Sequence, residues 1–211
     1  MTKFPDQIKT GFVYLYTGEG KGKTSAALGT AIRALSAGWH VSWVAFYKES
    51  AWNLSESALV DQLSPECQKR WQMFLLGKGF FIKQPEQELQ TKESSLKVVR
   101  TTANTPVIDT HQEQEHKLAA QAALDKAVHI LQSDSPPQVL IIDEVCNAIA
   151  DGLIEESAVF AALELRGKTH IILTGRNASQ KLIDTADLVT EMKKIKHPYD
   201  QGTLAIKGLD Y

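Results

Sequence analysis

Apolar residues fall in short runs separated by polar segments, and the runs predict a series of buried strands. "GFVYLYT" (11–17) is rich in strand formers and is followed at once by glycines. "HVSWVAF" (40–46), "QVLIIDE" (138–144) and "KTHIILTG" (168–175) repeat the pattern, with Pro136 and Pro137 ending the helix before the third strand. "DLVTEMKKI" (187–195) is shorter and more polar, which suits a strand near a sheet edge. Between these runs the pattern is helical. Residues 24–37 carry Ala26, Ala27, Ala31, Ala34 and Leu35, with Gly38 as a stop. Further helices are expected at about 110–132, 155–165 and 178–185. Strands alternating with helices predict an α/β fold, a mainly parallel sheet with helices on both faces.

One stretch breaks this rhythm. Residues 83–108, "KQPEQELQTKESSLKVVRTTANTPVI", begin polar and charged, then offer a strand in "LKVVRTT" and a turn in "ANTP". They read as an insertion, a lid or hairpin, in a single domain spanning 1–211.

The chemistry is signalled where the first strand meets the first helix. "TGEGKGKTS" (17–25) ends as a phosphate-binding loop does, in Gly22, Lys23 and Thr24, but Thr17 stands where the first glycine is expected. Gly18, Gly20 and Gly22 let the backbone wrap an anion and aim its N–H groups inward. The helix N-terminus adds positive potential. Lys23 is placed for terminal phosphate oxygens, Thr24 for Mg²⁺, Ser25 as a further hydroxyl donor and Lys21 as a second cation. "VLIIDEV" puts Asp143 and Glu144 at the end of a buried strand, as a Walker B segment does, to hold Mg²⁺ directly or through water. Arg176, after "ILTG", stands at another strand end, in reach of phosphate or of a second substrate.

MgATP binding leaves the reaction open. Hydrolysis would use Glu144 to position water, and a kinase would need an acceptor pocket. A third chemistry is attack at the ribose carbon with the whole triphosphate leaving, for which two loop lysines and Mg²⁺ are suited. A nucleotide-binding regulatory module without turnover is a fourth reading.

Bulk properties narrow the setting. The 211 residues are 43% hydrophobic and 23% charged, with net charge −2, so nothing points to nucleic acid or an anionic membrane. No apolar run is long enough to span a bilayer. The N-terminal "MTKFPDQIKTG" has no signal-like apolar core, and two cysteines make no disulfide framework; a cytoplasmic protein is expected.

Taken together, "YTGEGKGKTSAALGTAIRALSAG", "WVAFYK", "VLIIDEV", "ILTGRNASQKLIDTADLVTEMKKIKHPYDQG" and the terminal "KGLDY" resemble the P-loop class of corrinoid adenosyltransferases, which act on cobalamin or cobyrinic acid a,c-diamide. That family lacks the first loop glycine, so Thr17 fits it. The resemblance implies a RecA-like P-loop fold. It implies transfer of the 5′-deoxyadenosyl group from ATP to cobalt(I), with triphosphate leaving and the nucleotide lying reversed along the loop. Glu144 would then serve Mg²⁺ with Thr24. A reduced flavin or flavoprotein is the implied electron donor, and a homodimer the implied assembly.

The family places a G-F-x-W segment beneath the corrin. The match here is "GKGFFI", giving Phe80 and Phe81, with Ile82 where the family has tryptophan. Arg33 and Lys48 also match family positions and are candidates for the corrinoid or nucleotide crevice, as are His197 and Asp200 for the tail's share of the nucleotide site. The insertion 83–108 departs from the family. His111 and His116 are read as surface histidines, Trp39, Trp43, Trp52 and Trp71 as packing residues, and Cys146 as a small buried hydrophobe.

Overall fold

The computed structural model describes residues 9–49, 51–52, 54–90, 95–101 and 106–210. The turn expected at "ANTP" and the start of the N-terminal stretch fall largely outside them.

A six-stranded parallel sheet has the order β3-β2-β7-β8-β1-β9. Its strands are β1 (Val13–Thr17), β2 (Val41–Ala45), β3 (Trp71–Leu75), β7 (Val139–Asp143), β8 (His170–Thr174) and β9 (Leu188–Glu191). The helices are α1 (Lys23–Ser36), the short α2 (Leu59–Gln62) and α3 (Pro65–Gln68), α4 (Glu113–Leu131), α5 (Val145–Ala150), α6 (Glu156–Glu164) and α7 (Gln180–Thr185). With a mainly parallel sheet and helices on both faces, this is the α/β P-loop architecture the strand–helix alternation predicts.

Position in the sheet explains sequence. β2 and β7 are central, covered on both faces, and buried at every residue. β9 lies at an edge and is exposed at every residue. Alternate side chains feed two cores. Leu140 and Ile142 join Ala120, Ala123, Leu124 and Ala127 of α4, whereas Val139 and Ile141 join Ala27, Ala31 and Ala34 of α1. Edge strand β3 is not signalled in the sequence, because "WQMFL" contains no β-branched residue.

Within the stretch that breaks the rhythm, β4 (Gln87–Gln90), β5 (Ser95–Arg100) and β6 (Pro106–Asp109) form a separate antiparallel sheet. Strand β6 ends at Asp109, close before α4 begins.

Parallel register aligns the carboxyl ends of the central strands. Ala45 pairs with Asp143, and Tyr16 with Thr174. Everything that follows those ends therefore meets at one rim of the sheet, where open α/β folds bind ligands.

Candidate active site

The loop between β1 and α1 wraps against the chain that continues β9. The Gly20 N–H donates to the Met192 carbonyl at 2.6 Å, and a Cβ on Gly20 would sit 2.6 Å from that same oxygen. Only glycine fits this approach. Gly22 precedes α1 with φ +112°, a conformation L side chains resist, and no side chain caps the helix. Its first N–H groups are thus left for an anion. Lys23 folds back over the loop and donates to the carbonyls of Gly18 at 2.6 Å and Gly20 at 2.7 Å. Burial and the Arg176 charge lower its pKa, against the pull of Glu19, Glu144 and Asp143.

Behind the loop lies a buried polar cluster centred on Asp143, which is 0% exposed. Its Oδ1 accepts from the Thr174 hydroxyl at 2.6 Å and from the Thr24 hydroxyl at 3.2 Å. Its Oδ2 accepts from Lys48 Nζ at 2.8 Å, and Lys48 also pairs with Glu56 at 2.9 Å. Burial works against the Lys48 charge, but Asp143, Glu144 and Glu56 outweigh it and raise the pKa. Glu144 follows with φ +65°, a left-handed conformation that costs a non-glycine residue energy and is held by its N–H bond to Thr174 Oγ1 at 2.9 Å. Burial, and then the Asp143 charge, raise the Glu144 pKa, with Lys48 and Lys23 opposing.

These elements open on a cavity of about 830 Å³. Loop residues from Glu19 to Ser25 form one wall, Glu144 and Arg176 another, and the C-terminal segment from Lys194 to Asp210 a third. Phe80 lies at its edge. Its lining holds four cations, Lys21, Lys23, Arg176 and Lys194, and four carboxylates, Glu19, Glu144, Asp200 and Asp210. Three cations are matched by carboxylates of the lining itself: Lys21 by Asp210, Arg176 by Glu19 at 3.2 Å, and Lys194 by Asp200 at 2.9 Å. A polyphosphate entering this cavity exchanges carboxylate partners for phosphate oxygens. The exposed pairs cost little to break.

The match of known families to this chain is extensive. The family model for ATP:corrinoid adenosyltransferase BtuR/CobO/CobP matches residues 9–211. The chain belongs to the ATP:corrinoid adenosyltransferase family. It is 30% identical over 206 residues to the corrinoid adenosyltransferase CobA of Salmonella typhimurium, covering 97% of this chain and 88% of that one. A corrinoid adenosyltransferase of Pseudomonas aeruginosa is 29% identical over 202 residues, covering 95% and 84%. Among solved structures, the flagellar accessory protein FlaH from Methanocaldococcus jannaschii shares the fold, with TM-score 0.50 and 12% identity over 87% of this chain and 72% of that one.

The residues expected from the sequence on the nucleotide side lie together. Gly20, Lys21, Gly22, Lys23, Thr24, Ser25, Glu144 and Arg176 line the cavity; Gly18 accepts from Lys23; Thr17 ends β1, buried; and Asp143 is held directly behind Thr24. His197 and Asp200 join the lining from the tail.

The residues expected on the acceptor side are dispersed. Phe80 is 56% exposed and packs on Trp52 with ring centroids 5.1 Å apart. Phe81 instead packs on His116 at 5.0 Å, and Ile82 is 7% exposed, with its N–H bonded to Asp109. Lys48 is buried beneath Asp143, where it orients that carboxylate. Arg33 lies near the far end of α1, about 15 Å along the helix from Lys23 at ~1.5 Å per residue. There it lines a different cavity, with Trp39 and His170.

One expectation is corrected. His116 is not a surface histidine: it is 3% exposed and bonded to Asp109. Its place on the first turn of α4 faces the end of β6, a contact between elements that sequence spacing does not reveal. Cys146 is buried, which raises its thiol pKa to about 12. Sequence reading also missed Thr174, Glu56, Glu19, Lys194 and Asp210. Thr174 had a signal, since it ends an apolar strand as Asp143 does; the others depend on the folding of loops.

Proposed function

We propose that this protein transfers the 5′-deoxyadenosyl group of ATP to cobalt(I) of a corrinoid and releases inorganic triphosphate. The observation that carries this reading is the family match over residues 9–211. The cavity supports it, with Lys21, Lys23, Arg176 and an uncapped helix N-terminus converging on one anion site.

In the reaction a cobalt electron pair forms the bond to C5′. The C5′–O bond breaks, and its electron pair leaves with the triphosphate. A nucleophile this strong needs no protein base. The chain's task is to stabilise charge on the leaving group. Lys23 leaves the Gly18 and Gly20 carbonyls for phosphate, and Lys21 and Arg176 exchange their carboxylates for it. Thr24, Asp143 and Glu144 form an all-oxygen set of the kind Mg²⁺ prefers, and a dication beside Glu144 would offset the burial that raises its pKa. The metal would supply further neutralisation of the phosphates. Lys48 keeps Asp143 turned toward Thr24. Phe80 and Trp52 offer the corrin an apolar surface that excludes a lower axial ligand. We read the chain as one P-loop domain carrying 83–108 as an insertion, cytoplasmic, homodimeric, and served by a reduced flavin or flavoprotein.

A hydrolase reading draws on Glu144, which lines the cavity where a water could be positioned. Incubation with MgATP, a corrinoid and a strong chemical reductant separates the two. Equal amounts of light-sensitive adenosylated corrinoid and triphosphate are expected. Orthophosphate released at the same rate without corrinoid, and no alkylated product with cobalt fully reduced, would overturn the transferase reading.

A further inference from the structure

Asp109, His111 and His116 lie outside the nucleotide cavity and have no role in the chemistry above. Their ligand-capable atoms all fall within 4.8 Å of one another. His116 Nε2 is 3.0 Å from Asp109 Oδ1. Asp109 and His116 are buried, and His111 is half-buried. We propose that this cluster is a binding site for a transition-metal dication of the zinc class.

The donor set suits that class. The two imidazoles are borderline ligands that zinc accepts and Mg²⁺ or Ca²⁺ does not favour, and zinc also takes the one carboxylate. A tetrahedral zinc with bonds of about 2.0–2.1 Å requires ligand atoms roughly 3.3 Å apart. The 3.0 Å pair is close to that spacing, and the half-buried His111 side chain would have to rotate to close the remainder. Three protein ligands leave one position for water.

The surroundings hold the carboxylate in place. Asp109 Oδ2 accepts from the Ile82 N–H at 3.2 Å, and Oδ1 accepts from the His111 N–H at 3.0 Å. Such outer contacts to backbone orient a metal-binding carboxylate. The Phe81 ring covers His116 on one side. The positive end of α4 opposes a cation, and so does the Lys97 ammonium, 5.6 Å from the Phe81 ring centroid. Glu113 and Glu115 in the first turn of α4 counter that field.

A carboxylate only accepts, so His116 donates its Nε2 proton to Asp109. Metal binding at Nε2 requires the other neutral tautomer, with the proton on Nδ1, and His116 Nε2 and Asp109 Oδ1 then become ligands of one ion. The ion would join three segments: the end of β6, the first turn of α4 and, through Asp109, the Gly79–Ile82 segment beside the cavity.

The test uses chelator-stripped full-length protein without nucleotide or Mg²⁺, titrated with Zn²⁺ against a competing chelator. One zinc per chain and a raised Tm are expected. His111→Ala should weaken zinc binding by about 10- to 100-fold or more and leave ATP affinity unchanged. His111 is chosen because it is half-buried, whereas His116→Ala removes a packed side chain and risks the fold. Absence of zinc binding by the wild-type chain, or the same affinity in wild type and His111→Ala, would overturn the site. Neither result depends on adenosyl transfer, so the two proposals fail separately.

Discussion

The two sheets of this molecule solve different problems. At the rim of the large sheet, Asp143 is fully buried and has three side-chain partners, one of them the ammonium of Lys48. In the small sheet, β4 is exposed at every residue and β5 is nowhere fully buried. The rim where we propose that nucleotide binds is thus organised without a ligand: apolar strands fix its backbone, and a hydrogen-bonded charge cluster fixes its carboxylate. The small sheet buries little apolar area, and Asp109 at the end of β6 ties it to the core. Substitutions at the two places should differ accordingly.

The largest effect is expected at Lys23. Its ammonium is bonded to the Gly18 and Gly20 carbonyls; in the proposed reaction it turns to phosphate, so Lys23→Ala should remove a stabilising cation without unfolding the loop. Loss of about 100- to 1,000-fold in turnover is expected, on the scale of a lost oxyanion donor, with weakened ATP binding by calorimetry and an unchanged Tm. Normal ATP affinity in this variant would mean that the cavity is not the nucleotide site.

Asp143→Asn comes next. It leaves Lys48 buried with Glu56 as its remaining carboxylate partner among the described contacts. A loss of about 3–5 kcal/mol is the usual cost of stranding a buried charge, with the surviving Glu56 pair holding it to the lower end. Combining it with Lys48→Met should recover much of that loss in urea unfolding. In the small sheet, Glu88→Gln alters an exposed bond to Ser95 at 3.0 Å; it should stay within about 0.5 kcal/mol. Equal losses at the two sites would erase the contrast between the sheets.

A subtler effect is pH dependence. Burial and Asp143 raise the Glu144 pKa in the folded chain above its unfolded value. The folded state then binds more protons, so this group's contribution to stability is full at low pH and is lost as pH rises through the raised pKa. Paired carboxylates show the opposite sign. Glu144→Gln should flatten the fall in stability toward neutral pH, measured on nucleotide-free protein in urea, and MgATP should flatten it too. An identical profile in wild type and variant would remove Glu144 as its source.

The same division governs what could be read from the sequence. Strands β1, β2, β7 and β8 were legible because burial on both faces demands uninterrupted apolar runs, and α1 because its alanines pack on them. The loop was legible because phosphate needs glycines, lysine and hydroxyl in fixed order. Edge strand β3 was not, since Gln72 and Met73 carry no strand signal. The Asp109–His116 contact was invisible for another reason. It joins a strand end to a helix turn across a loop, where neither the strand nor the helix repeat applies. The pairing of Lys21 with Asp210 likewise depends on how the tail returns to the cavity.

The smallest effect on the fold, and the most discriminating for the acceptor side, is expected at Phe80. Its ring is half-exposed and packs on Trp52, so Phe80→Ala should hardly change Tm. If the ring excludes a lower ligand from cobalt, its loss makes cobalt(II) harder to reduce on the enzyme but leaves cobalt(I) as reactive as before. Turnover should therefore fall several-fold with a mild reductant and stay near wild type with chemically generated cobalt(I). Equal loss under both conditions would assign Phe80 to corrinoid binding alone. No loss under either would move the acceptor site away from the Phe80–Trp52 pair, and the exposed small sheet would become the next surface to test.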